Sequence, residues 1–300
     1  MNSRNILVTG GTGFIGYHIL KNLRKYNFNL FSISTKKPKK RRKLKYVKYI
    51  LCDISKKKEL KKKLKHKFNF VINLSGYVDH TNKKKTFDSH YIGCKNLIQV
   101  INKDDLKKFI QIGSGLEYGN NTSLHKESFK CKPQSVYSKS KYLSSKYIQR
   151  LNKFNNFKGI ILRVYQVYGP AQDNNRLIPQ VIRSSLKNKN FNCSEGNQLR
   201  DFLYIEDFVQ LIIKIIFNKK SNLGVFNVGY GQPVSIKKII KSIFKKIKKG
   251  KPNFGKIKMR KDESLKMCPN TLKIKRTFKW SPKFSLASGL KKTINYYNEI

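Results

Sequence analysis

An α/β architecture, a doubly wound parallel sheet followed by a smaller C-terminal domain, is what this 300-residue sequence predicts. Three observations carry that expectation. Through the first 165 residues short apolar runs alternate with stretches long enough for crossover helices, which implies parallel strands covered on both faces. A glycine-rich turn follows the first apolar run directly. After Gly169-Pro170 the loops lengthen and prolines recur at 179, 233, 252, 269 and 282. The expected boundary therefore separates 1–169, the sheet domain, from 170–300, mainly a second domain that returns at most a strand or two to the sheet.

In chain order, residues 6–9, 30–34, 46–51, 70–74, 109–112 and 159–164 read as strands, with helices over 13–27 and 138–151 among the connections. No internal repeat is present. Apolar residues make up 39% of the chain, enough at this length for a sizeable core. No apolar run approaches the ~18–20 residues of a membrane-spanning helix; the best, 211–217, is broken by Lys214. The start lacks the cationic and long apolar stretches of a signal peptide. Five widely spread cysteines without a Cys-x-x-Cys pair argue against a disulfide framework or zinc module. A soluble, cytoplasmic protein with no metal site is expected.

The formal charge of +50 raises the question of nucleic acid or an anionic membrane. The excess is mostly lysine, a point charge rather than the forked arginine that reads bases. It is dispersed, as in Lys56-Lys57-Lys58, Lys61-Lys62-Lys63 and Lys83-Lys84-Lys85, amid abundant Asn, Ile, Phe and Tyr. A solvated surface is the better reading than a nucleic-acid site.

Thr9-Gly10-Gly11-Thr12-Gly13-Phe14-Ile15-Gly16 sits between first strand and first helix. Gly10 permits the tight turn, Gly13 lets the backbone approach a pyrophosphate, and Gly16 lets helix and strand pack closely. The helix N-terminus then offers free N–H groups to phosphates. This turn is suited to a dinucleotide.

Several further stretches go with it: Cys52-Asp53-Ile54, Asn73-Leu74-Ser75-Gly76, Gly113-Ser114-Gly115-Leu116-Glu117-Tyr118-Gly119, Tyr137-Ser138-Lys139-Ser140-Lys141, Arg163 to Pro170, Arg200-Asp201-Phe202 and Lys279-Trp280-Ser281-Pro282. Together they make the chain resemble the extended short-chain dehydrogenase/reductase family nearly end to end. Within it the chain is similar to the nucleotide-sugar epimerases, dehydratases and 4-ketoreductases. The resemblance implies a Rossmann-type sheet domain, a nucleotide-sugar-binding second domain and a homodimer formed through the two helices flanking Tyr137. It also implies that Asp53 bonds the adenine and that Phe14, Ile15, Ile54, Leu74, Ser75 and Gly76 line the cofactor. In this pattern an acidic residue ending the second strand holds the ribose 2′-hydroxyl. Here Ser34 and Lys36 stand there without a carboxylate, so NADP is expected over NAD, with the run from Lys36 to Lys43 as its rim.

Tyr-x-x-x-Lys alone means little in this chain: composition predicts about three or four chance pairs, and four occur, at Tyr17, Tyr91, Tyr137 and Tyr142. Only Tyr137 lies downstream of Ser114 at the start of a helix, where Lys141 shares its face. A phenol with a pKa near ~10 is a poor base at neutral pH, and a neighbouring ammonium favours the phenolate. The resemblance makes Tyr137 the acid/base, Lys141 also a holder of the nicotinamide ribose, and Ser114 a hydrogen-bond partner of the reacting sugar oxygen. Relatives that dehydrate carry Asp-Glu where this chain has Gly115 and Leu116, which disfavours dehydration. Glu117 shapes the turn. His90 stands where relatives often have Asn, either as part of the active-site network or as packing.

For the substrate diphosphate the resemblance points to Arg200 and Arg260, with Arg176 as a further candidate, and to Gln166 in place of a common Asn. Asp207 is expected to cap or brace a helix start. The expected activity is hydride transfer on a nucleotide-diphosphate sugar, reduction of a 4-keto-6-deoxysugar ahead of 4-epimerisation. A non-catalytic, RNA- or polyanion-binding protein is the rival, against which Ser114, Tyr137 and Lys141 count.

Overall fold

The computed structural model describes residues 4–77, 79, 81–121, 123–259 and 263–299. The chain opens with β1 (Arg4–Thr9), α1 (Phe14–Leu23), β2 (Phe28–Ser34), β3 (Val47–Leu51), α2 (Lys57–Lys63) and β4 (Phe70–Asn73). There follow α3 (Lys83–Phe87), α4 (Gly93–Val100), β5 (Lys108–Ser114), α5 (Val136–Phe154), β6 (Gly159–Val164), β7 (Gln166–Tyr168) and α6 (Leu177–Leu186). Then come β8 (Phe191–Asn192), β9 (Leu199–Tyr204), α7 (Ile205–Phe217), β10 (Gly224–Val228), β11 (Pro233–Ser235) and α8 (Ile236–Ile247). The last elements are β12 (Pro252–Asn253), β13 (Lys266–Met267), α9 (Leu272–Phe278) and α10 (Leu286–Asn298).

Two compact units result. The first comprises Met1–Asn121, Glu127–Val164 and Leu211–Asn227; the second comprises Thr122–Lys126, Tyr165–Gln210 and Val228–Ile300. These units are less contiguous than a single cut at residue 169, because the chain returns to the first unit after residue 210.

In the first unit seven strands form one sheet in the order β10-β6-β5-β4-β1-β2-β3. The pairings among β1 to β6 are parallel, as the strand-helix alternation implies. The six expected strands all form, because runs such as Ile6-Leu7-Val8 and Ile160-Ile161-Leu162 are wholly buried and have only a two-faced sheet to occupy. Leu7, Phe31, Val71, Phe109 and Ile161 meet Leu60 of α2, Leu97 of α4 and Ile148 of α5 in the core. The strand order reverses between β1 and β4. Such a reversal leaves a crevice outside the carboxyl ends of the strands, where this architecture takes its ligands.

Among the described residues only two lysines are buried, Lys108 and Lys141. Lys108 closes the end of α7 by donating from Nζ to the carbonyl oxygens of Ile215, at 2.5 Å, and Asn218. Among those residues no helix is long and apolar enough to cross a membrane. In the second unit β9 pairs antiparallel with β11 and parallel with β13 and β7.

Candidate active site

The glycine turn has three separate steric reasons. Gly10 takes φ +68°, where a side chain is strained, and its carbonyl accepts from Gly13 N at 3.0 Å. A Cβ on Gly16 would lie 2.5 Å from Gly11 Cα and 2.6 Å from Gly10 O, so α1 can approach β1 only with glycine there. A Cβ on Gly13 would meet only Gly10 O, at 3.2 Å, leaving space above the turn. Gly11, which the sequence reading passed over, carries a constraint of its own: its Cβ would lie 2.4 Å from Ser32 Oγ. Phe14 and Gly16 are buried in α1, and no side chain caps the helix's first turn. The first N–H groups of an uncapped helix are left for water or a ligand.

The ends of the neighbouring strands complete this cradle. Ser34 Oγ, at the end of β2, is buried with no hydrogen-bond partner, the state of a hydroxyl that a ligand would satisfy. Lys36 is exposed beyond it. Asp53 follows β3, its Oδ1 accepting from Ser55 N at 2.9 Å and Ser55 Oγ at 2.8 Å. Ile54 buries its side chain in the core against Gly93, which leaves its main chain as what it can offer a ligand. Leu74 and Ser75 lie against Gly10, about the distance of a Cβ contact away, and Ser75 N donates to Thr9 Oγ1 at 3.2 Å. Uncapped helix start, glycine cradle and orphaned hydroxyl fit a dinucleotide's pyrophosphate and ribose.

Ser114 ends β5 and Tyr137 opens α5, whose Ser135 N-cap accepts from Ser138 N. One turn on, Lys141 is buried. Its Nζ donates to Ile112 O at 2.7 Å and lies 5.9 Å from the centre of the Tyr137 ring. Lys141, Tyr137 and the strand end bearing Ser114 are thus brought together in the first unit. Burial pushes the Lys141 ammonium down to about 8, opposed by Glu117. Ser114 Oγ accepts from Leu116 N at 3.2 Å, which leaves its O–H free to donate.

Beneath Ser114 lies fully buried Glu117. Its Oε1 accepts from Ser114 N at 2.9 Å, and its Oε2 accepts from Arg163 Nε and from Ser145 Oγ, both at 2.9 Å. One carboxylate therefore ties the end of β5 to β6 and to α5, one turn past Lys141. Gly113 makes room for it: a Cβ there would lie 2.5 Å from Oε1.

A second buried network was not foreseen. Thr9 Oγ1 donates to Asn73 Oδ1 at 2.6 Å, Asn73 Nδ2 to Gln111 Oε1 at 2.7 Å, and Gln111 Nε2 to Ile112 O at 3.1 Å. It joins the ends of β1 and β4 to the middle of β5. The signal was a polar residue ending each of two apolar strands and a glutamine inside a third. His90 belongs to the packing around Tyr137, its ring edge-to-face with the phenol ring at 5.0 Å.

In the second unit Gln166 is exposed on β7. Arg200, buried on β9, donates from Nη2 to Glu263 at 2.7 Å and from Nη1 to Leu199 O at 2.9 Å. Arg176 stands exposed just before α6. Arg260 lies outside the described residues. Asp207 does not cap α7; its two carboxylate oxygens accept from Lys283 N and Phe284 N, so it braces the loop before α10. Among the described residues no cluster has the composition of a metal site.

The model of the NAD dependent epimerase/dehydratase family matches residues 6–229. Human dTDP-D-glucose 4,6-dehydratase is 27% identical, over 99% of this chain and 91% of its own. ADP-L-glycero-D-manno-heptose-6-epimerase of Brachyspira hyodysenteriae is 29% identical over 80% of this chain and 81% of its own. Among solved structures, UDP-glucose 4-epimerase with UDP-glucose from Thermotoga maritima superposes with a TM-score of 0.92 at 25% identity, covering 98% of this chain and 99% of that one. These names are of epimerases and a dehydratase. They lend no specific weight to reduction of a 4-keto-6-deoxysugar, the activity placed first from sequence.

Proposed function

The chain belongs to the NAD dependent epimerase/dehydratase family, an enzyme of the extended short-chain dehydrogenase/reductase type, and on that premise we propose that it epimerises a nucleotide-diphosphate sugar at C4. The observation that carries this reading is the grouping at the end of β5: Lys141 bonded to Ile112 O, Tyr137 on the same helix, and Ser114 two residues further along the strand.

When bound, the nicotinamide supplies reversible hydride exchange with the sugar carbon. Gly10, Gly13 and Gly16 with the start of α1 would hold its pyrophosphate, and Ser34, Asp53 and the Leu74-Ser75-Gly76 backbone its adenosine half. Lys141 would hold the nicotinamide ribose. Tyr137, its phenolate favoured by the Lys141 charge, takes the proton of the sugar hydroxyl and later returns one to the same oxygen. Ser114 donates to that oxygen and fixes its direction. Gln166, Arg176, Arg200 and Arg260 of the second unit would hold the diphosphate. Gly115 and Leu116 cannot move protons, so elimination of water has no acid/base pair here.

Reduction of a 4-keto-6-deoxysugar is the second reading. It is favoured by the end of β2, where Ser34 and Lys36 suit a 2′-phosphate and hence NADPH, a reductant that leaves after each turnover. Five free thiols, four of them buried, suit work in the cytoplasm. A groove on α5 lined by Tyr91, Leu143, Tyr147 and Phe154 would take a second copy of this chain, and sedimentation of the purified protein at increasing concentration tests that dimer.

The test of the activity mixes purified protein with UDP-, dTDP-, CDP- and GDP-linked hexoses and 4-keto-6-deoxyhexoses, resolves the sugars by chromatography and follows cofactor absorbance. An epimeric sugar with no net cofactor change establishes the epimerase. Stoichiometric loss of NADPH with a new hydroxy-sugar establishes the reductase instead. In either case Tyr137→Phe abolishes turnover, and no product from any sugar nucleotide overturns both readings.

A further inference from the structure

We propose that His90 is a positioning residue for Tyr137, and that Gly76 is glycine in order to admit the His90 ring. The inference rests on Tyr137 as the acid/base group and adds to it how the phenol is aimed.

The chain from α3 into α4 is one helical run with a widened turn in its middle. Over Asp88 to Ile92 the turn is π-helical, with Gly93 N donating to Asp88 O. Single π-turns inside α-helices are uncommon and recur at functional sites. His90 is the central residue of this one and is buried. Its carbonyl accepts from Ser144 Oγ on α5 at 2.9 Å, so its backbone is bonded to the helix that carries Tyr137 and Lys141. Its ring meets the Tyr137 ring edge-to-face, at 5.0 Å between centres and 80° between planes. On the other side Nε2 lies 3.3 Å from Tyr77 O. A carbonyl can only accept, so this contact assigns the proton to Nε2 and fixes the ring plane.

The third wall is Gly76. A Cβ there would lie 1.7 Å from His90 Cε1 and 2.2 Å from Nδ1, so any side chain at 76 would drive the imidazole from its place. The backbone after β4, the π-turn and α5 thus converge on one ring, which packs edge-to-face with Tyr137. A tyrosine on the first turn of a helix has two rotatable bonds between backbone and ring. The imidazole removes that freedom on one side, so the phenol oxygen keeps one direction. Asp88, Lys85 and Lys141 are the charged groups on the neighbouring turns, and the positioning works through ring contact rather than through charge.

The test compares wild type with His90→Asn, Gly76→Ala and the double variant, reading kcat, KM, dinucleotide affinity by fluorescence titration and the urea midpoint. The expected result for His90→Asn is a fall of about tenfold in kcat, the scale of one lost edge-to-face contact, with KM, dinucleotide affinity and midpoint near wild type. Gly76→Ala is expected to give the same fall, and the double variant no further fall, because the alanine methyl then has no ring to displace. An unchanged kcat in His90→Asn, or additive losses in the double variant, overturns the proposal. A readout without substrate separates this from the reading of Tyr137 itself. With ring-labelled tyrosine, the Tyr137 signals, identified by their absence in Tyr137→Phe, lose the imidazole ring-current shift in His90→Asn. If those signals do not move, the ring contact is absent and the proposal falls whatever the activity. If they move while Tyr137→Phe keeps full turnover, it is the acid/base reading that fails.

Discussion

Lys141 and Gln111 donate to the same carbonyl: Nζ of the lysine is 2.7 Å and Nε2 of the glutamine 3.1 Å from Ile112 O. The shared acceptor joins α5 to the row of buried polar side chains that starts at Thr9, beside the glycine turn. It also means that removing the lysine side chain leaves no buried carbonyl without a donor.

That arrangement fixes what Lys141→Met should do. A buried ammonium held down to about 8 binds fewer protons in the folded chain than in the unfolded one between about pH 8 and the usual lysine value near ~10.4. Through that window its contribution to stability rises with pH, and below it the buried charge is a cost. The methionine variant is therefore expected to be as stable as wild type at pH 7, or more stable by about 1–3 kcal/mol, while turnover falls by at least about a hundredfold. Urea unfolding beside steady-state kinetics checks both. In wild type, activity should fall above about pH 8 as the ammonium is lost.

Glu117 and Arg163 should behave in the opposite way. Their side chains are almost fully buried and 2.9 Å apart. Burial works to lower the guanidinium's pKa, and the Glu117 carboxylate, with smaller help from Tyr118 and Cys131, holds the value above the usual one. Glu117→Gln leaves that charge buried without its partner and should cost about 3–5 kcal/mol. Arg163→Met in the same chain should return part of the loss, a coupling that a double-mutant cycle in urea measures.

How much of this was legible in the sequence depends on where each residue's partner lies. β1, β2 and β6 could be read to within two residues because a strand buried on both faces is a continuous apolar run. The turn at Gly10 and the close packing at Gly16 were legible because both constraints lie within seven residues. β10 was not located, since nothing in Gly224–Val228 names β6 as its neighbour. The Thr9-Asn73-Gln111 row was hidden for the same reason: its members are ~40–60 residues apart, and only register puts Thr9 opposite Asn73 and Asn73 opposite Gln111. For Asp207 the sequence left cap and brace open, since a carboxylate in a first helical turn is ordinarily a cap; the structure shows the brace, with residues 283 and 284 just before α10 donating to it.

Cofactor choice should turn on Ser34. Its orphaned hydroxyl ends β2 with no carboxylate near it in the sequence. Ser34→Asp places an acceptor where a ribose 2′-hydroxyl would bond and a 2′-phosphate would be repelled. The expected outcome is a ratio of NADPH to NADH affinity lowered by about tenfold or more, the scale of 1–2 kcal/mol for one charged contact. Fluorescence titration of both cofactors reads it, and equal ratios in the two proteins would remove Ser34 from the site.

Gly13 and Gly16 of the turn should separate folding from binding. At Gly16 the added methyl would fall 2.5 Å from Gly11 Cα and 2.6 Å from Gly10 O, both backbone atoms that cannot turn aside. Gly16→Ala must therefore push α1 off β1, and it should cost about 1–3 kcal/mol of stability as well as dinucleotide affinity. At Gly13 the same methyl meets one carbonyl oxygen at 3.2 Å and otherwise projects into the space above the turn. Gly13→Ala should unfold within about 1 kcal/mol of wild type yet bind dinucleotide at least about tenfold more weakly, since the methyl stands where the pyrophosphate must approach the backbone. Urea midpoints and cofactor titrations on the two variants test this directly. Equal stability losses would mean that Gly13 serves packing, and unchanged affinity in Gly13→Ala would move the pyrophosphate away from this turn.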